Sequence, residues 1–134
     1  MGTRCSRAAG ALFAAAAMLA TAAPSDPLHG EWAGGQLRLV IDDAGGRIEA
    51  GCASGRFAGP VTAGDDGHFT AQGSFEVHAP GPQRAVAASA VVAATFVGAI
   101  RDGVLVLSIK PAGATEPQFH TLRAGAHIKL IRCL

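Results

Sequence analysis

Apolar and polar residues alternate along much of this chain. Leu37, Leu39 and Ile41 are separated by Arg38, Val40 and Asp42, and that period of two marks a half-buried strand. Gly30-Glu31-Trp32 opens this first strand. Asp43-Ala44-Gly45-Gly46 reads as a turn, because glycine accepts the positive φ of a tight hairpin. Arg47, Glu49 and Gly51 then alternate with Ile48, Ala50 and Cys52. This second strand places the Cys52 sulfur on the inward face with Ile48. Ser54-Gly55 is the next expected turn. Arg56 to Thr62 is a third strand, weakened by Pro60, which suits an edge or a bulge.

The pattern continues beyond the Gly64-Asp65-Asp66-Gly67 turn. Phe69, Ala71, Gly73, Phe75 and Val77 share one face, while His68, Thr70, Gln72, Ser74, Glu76 and His78 share the other. Pro80-Gly81-Pro82 ends that strand. Ala85 to Ala90 is open between helix, loop and strand, since alanine favours helix but the following residues do not. From Val91 the β-branched and aromatic content predicts strand. Arg101-Asp102-Gly103 is a hairpin turn, and Val104 to Lys110 a strand with Leu105, Leu107 and Ile109 facing one way. After the Pro111 to Pro117 loop, Gln118 to Arg123 and His127 to Cys133 are the last two strands.

About eight short strands, with turn signals roughly every 8–12 residues, predict an all-β fold. Tight turns between successive strands favour a small antiparallel meander barrel, which removes exposed edges by closing on itself. A β-sandwich is the alternative.

Residues 1–22 do not fit this pattern. Arg4 and Arg7 precede an uncharged apolar run from Ala8 to Ala20, and Ala20-Thr21-Ala22 offers small residues for cleavage. That layout is a secretory signal peptide. The run falls short of the about 20 residues that span a bilayer comfortably, so cleavage is expected rather than anchoring. No stable membrane span is then expected. Residues 23–29 form a lead-in and residues 30–134 the barrel domain. Export, to the periplasm or beyond, is the expected localisation.

The leader changes the charge and cysteine counts. The 134-residue chain has a net charge of +1. Arg4 and Arg7 leave with the peptide, so 11 basic residues become 9 against 10 acidic ones, a net charge of −1. No attraction to nucleic acid follows. With 49% apolar and 16% charged residues, the chain is not compositionally disordered. Cys5 also leaves. Cys52 and Cys133 remain, and in an exported chain they are most simply a disulfide. Such a bond would bring the last strand near the second and help to close the barrel. The two cysteines lack the CxxC spacing of a redox or metal site.

Candidate chemistry is sparse. Asp42-Asp43 and Asp65-Asp66 lie at turns, where aspartate bonds its own backbone. His29, His68, His78, His120 and His127 show no zinc-motif spacing, although His120 and His127 flank one hairpin and could approach each other. There is no Gly-x-Ser-x-Gly elbow, and neither Ser54 nor Ser89 has a histidine nearby in sequence. No catalytic residue, metal or cofactor is predicted. Small inward residues such as Ala50, Ala71, Gly73, Ala94 and Gly98 either leave room for a ligand or let the walls close on a filled core. A filled core is expected, because the chain is short and poor in aromatics. If a cavity exists, Trp32, Leu39, Phe69, Phe75, Phe96 and Leu107 would line it. Trp32 would otherwise be core, with its N–H on a backbone carbonyl.

Several short motifs also resemble known proteins. Gly30-Glu31-Trp32 resembles the start of lipocalin-like and avidin-like (calycin-like) barrels. Cys52-Ala53-x-Gly55, Gly67-x-Phe69-x-x-x-Gly73, Ala94-Thr95-Phe96-x-Gly98, Phe119-x-x-Leu122-x-x-Gly125 and Leu130-x-x-Cys133-Leu134 resemble a family of uncharacterised small exported bacterial proteins. Gly51 departs from that family's acidic residue, and Ala85 to Ala90 from its longer polar segment. The resemblance implies a β-barrel and export, with no activity or catalytic residues.

The expected function is therefore non-catalytic binding of a small apolar ligand or a protein by an exported, disulfide-stapled barrel. The alternative is a cell-envelope interaction or inhibitor protein acting through the Pro80-Gly81-Pro82 and Pro111 to Pro117 loops. A hydrolase or metal-binding protein ranks third.

Overall fold

The computed structural model of the protein describes residues 26–78 and 90–133, together with Gly2. Gly2 apart, the expected leader lies outside the described residues, as do Pro80-Gly81-Pro82 and most of the Ala85 to Ala90 segment. Eight antiparallel strands form a closed barrel in sequence order: β1 (Gly30–Gly34), β2 (Leu37–Asp42), β3 (Gly45–Ala50), β4 (Ala53–Ala58), β5 (His68–Val77), β6 (Val91–Arg101), β7 (Val104–Pro111) and β8 (Gln118–Ala124). Closure is made by β1 on β8, where Trp32 faces Ala124 and Ala33 faces Arg123. The all-β meander barrel is thus the fold, and the β-sandwich is not.

Four boundaries differ from the alternation reading. The segment counted as one first strand is a hairpin, β1 and β2, turned at Gly35-Gln36; Gly35 takes the φ of +57° this turn needs. The Ser54-Gly55 turn falls earlier, at Gly51-Cys52, and both of its expected residues pair within β4. Cys52 is therefore exposed in a turn, not inward on a strand. The third expected strand stops at Ala58, because Pro60 has no N–H for a ladder; Thr62 makes only an isolated bridge, to Pro27. Finally, residues 127–133 form no strand. They alternate in burial without joining a ladder. One strand gained near Gly30 and one lost after Ala124 leave eight among the described residues.

The interior is filled by pairing phenylalanines with glycines. In register, Phe57 faces Gly46 and Gly73, Phe69 faces Gly98, and Phe75 faces Gly55. A Cβ at Gly46 would overlap the Phe57 ring, and one at Gly98 the Phe69 ring. Phe57 lies 5.1 Å from Phe96 and 6.4 Å from Phe69, centroid to centroid, within aromatic contact. Gly98→Ala is accordingly expected to cost about 1–3 kcal/mol through overpacking. Urea denaturation checks this, and an unchanged midpoint would show that Phe69 has room to move.

The two ends differ. At one, the β2–β3 and β6–β7 turns meet the β4–β5 connection. There Leu28 N–H donates to Val61 O at 2.7 Å, and buried Val61 and Trp32 with half-buried Leu28 seal the base. The other end carries the β1–β2 and β3–β4 turns, the start of β8 and the departure of the chain after β5.

Candidate functional site

The open end holds a cleft of about 480 Å³. Leu37, Ala50, Ala53, Phe75, Val77 and Ile131 supply its apolar wall. Its polar groups come from Gln36, Gln118 and His120. Strand parity explains two of these. Gln118 pairs with Ile109, His120 with Leu107 and Leu122 with Leu105, so all three β8 residues sit on the inward side. Leu122 is fully buried and His120 half-buried, so the inner wall turns polar toward the mouth. Burial holds the His120 pKa below its ordinary value. No charged side chain lines the cleft among the described residues. Its chemistry suits an uncharged apolar molecule with a hydrogen-bonding group.

The six residues expected to line a cavity are mostly elsewhere. Leu39, Phe96 and Leu107 are fully buried in the packed core, and Trp32 and Phe69 nearly so. Only Phe75 reaches the cleft. Trp32 also departs from its expected pairing: among the described residues its buried Nε1–H has no hydrogen-bond partner. An unmet donor of this kind costs about 1–3 kcal/mol.

Cys52 and Cys133 form the expected disulfide, with Cα atoms 5.2 Å apart. The bond ties the β3–β4 turn to the tail after β8, not strand to strand. Gly51 allows the close approach, since a Cβ there would overlap the Ile131 carbonyl oxygen. An acidic side chain at this position would displace the tail.

One arrangement escaped the sequence. Ser54 sits opposite Glu76 across β4 and β5, and His78 N–H donates to Cys52 O at 2.8 Å. The Ser54 Oγ–His78 Nε2 distance is 3.3 Å, and His78 Nδ1 lies 3.7 Å from Glu76 Oε1. The order resembles a nucleophile, a base and a carboxylate. However, 3.7 Å exceeds hydrogen-bond distance, and water reaches all three side chains. The carboxylate does not fix the imidazole as acyl transfer requires, so the group reads as a polar cross-strand cluster.

The other candidates are rim groups. His29 pairs with Asp43 at 2.6 Å and His68 with Asp66 at 3.2 Å, all exposed. Asp42 accepts from Ala44 N–H and Asp66 from His68 N–H, which are turn roles. His120 faces inward while His127 is exposed on the tail. No group of three or more His, Cys, Asp or Glu side chains suited to a metal occurs among the described residues. No family model, no curated protein and no solved structure matches this chain.

Proposed function

We propose that this protein is an exported barrel that binds one small, uncharged, mainly apolar molecule at its mouth. The observation carrying this reading is the cleft of about 480 Å³ above a filled core, apolar except for Gln36, Gln118 and His120. Its volume falls within the about 300–1,000 Å³ of small-molecule sites. Export is supported by the leader pattern and by a disulfide, which persists in oxidising compartments.

N-phenyl-1-naphthylamine is a suitable probe, being apolar and uncharged across the relevant pH range. Its fluorescence should rise on titration and saturate at one molecule per chain. The absence of saturable binding by it and by neutral long-chain alcohols would count against the proposal. Affinity should also depend on pH. Burial disfavours the protonated form of His120, and an apolar occupant desolvates it further, so the bound state holds fewer protons. Binding is therefore strongest at neutral pH and weakens as the pH falls through the lowered His120 pKa, which lies below the ordinary histidine value of about 6.5. His120→Gln should flatten the profile. An unchanged pH dependence in that variant would remove His120 from the site.

A second reading, a protein partner, is favoured by one feature. Exposed Val97 and Phe119 flank half-buried Ser108 in one cross-strand row on the outer face of β6–β8, beside exposed Val106. Crosslinking in envelope extract, comparing the native chain with Phe119→Asp, tests it; equal recovery of any partner would argue against that face.

A further inference from the structure

The seam that closes the barrel does not run through its disulfide. β1 and β8 complete the cylinder through backbone pairing at Trp32–Ala124 and Ala33–Arg123, and both cysteines lie outside that seam. What the bond holds is the tail. Residues 125–133 run back from the closed end to the mouth without entering the ladder. Near the tail's end, Ile131 N–H donates to Gln36 Oε1 at 3.2 Å, and Cys133 N–H to Gly51 O at 3.0 Å. Ile131 lines the mouth cleft yet is 72% exposed. An exposed isoleucine at the rim of an apolar cleft has surface left for a ligand to cover.

We propose that the Cys52–Cys133 bond is part of the binding site: it pins the tail so that Ile131 forms one wall of the mouth cleft, and ligand retention depends on it while barrel closure does not. The inference rests on the mouth-binding reading and specifies how that site is built. One further observation agrees with it: the turn is glycine at the one place where a Cβ would push Ile131 away.

The test compares the native chain with Cys52→Ser/Cys133→Ser and with Ile131→Ser, which keeps the disulfide. N-phenyl-1-naphthylamine affinity is measured at 10 °C, alongside hydrogen exchange of the tail and of the strands. The double variant should bind about tenfold more weakly, equivalent to about 1.4 kcal/mol. Its tail amides should exchange faster while strand amides stay protected. Ile131→Ser should weaken binding about fivefold through lost apolar contact. If the native chain binds and a folded double variant binds equally well, this inference is overturned and the mouth reading stands. If the native chain does not bind, the mouth reading fails and this inference falls with it. If the double variant does not fold, Ile131→Ser decides: unchanged affinity overturns the proposal.

Discussion

Phe96→Ala is expected to lower the unfolding free energy by about 3–5 kcal/mol. Phe96 is fully buried at mid-barrel, faces Ala71 and Ile109 in register, and contacts the Phe57 ring. Truncation removes a whole ring from between Ala71, Ile109 and the Phe57 ring. Eight hydrogen-bonded strands cannot collapse inward without breaking their ladders, so the cavity stays open. Urea denaturation followed by Trp32 emission measures the loss, because this is the only indole in the chain. Phe119→Ala is the control; that side chain is 68% exposed and should shift stability by no more than about 0.5 kcal/mol. A Phe96→Ala loss below about 1 kcal/mol would mean that the interior is not packed as described.

Replacing both disulfide cysteines by serine should cost up to about 4–5 kcal/mol, through a different mechanism. The bond joins residues 81 positions apart, so its main effect is to restrict the unfolded chain. Native β-sheet circular dichroism should persist at low temperature, with a lower denaturation midpoint. Adding dithiothreitol to the native protein should reproduce the shift. Equal midpoints with and without reductant would show that the bond contributes nothing to the unfolded-state restriction.

Much of the barrel is legible in the sequence because one face of each strand is buried. The alternations at Leu37–Asp42, His68–Val77 and Val104–Lys110 carry into the structure nearly unchanged. Periodicity failed where burial and pairing part company. Trp32 and Ala33 are adjacent and both buried, so β1 shows no clean period of two. The tail shows the converse. Ile128 and Leu130 alternate with exposed Lys129 and Ile131, yet no strand pairs with them. Alternation reports one-sided burial, and an extended segment lying on a surface satisfies it as well as a strand does.

The candidate site was less legible. His120 shares parity with Leu122, a signal for an inward histidine that the hairpin-flank reading passed over. Ser54 and His78 stand 24 residues apart, so their contact required the β4–β5 register. Leu39, Phe96 and Leu107 were reasonable cavity candidates by size and face. Whether such residues line a space or fill it depends on which glycine faces which phenylalanine, and that is set by register between strands.

Amide chemical-shift mapping during titration with N-phenyl-1-naphthylamine locates the ligand residue by residue. Saturable shifts are expected, confined to the mouth at residues 36–37, 50–53, 75, 77, 118, 120 and 131. Shifts centred on Trp32, Phe57 and Phe69 would contradict this, because they would place the ligand among the buried side chains of the core.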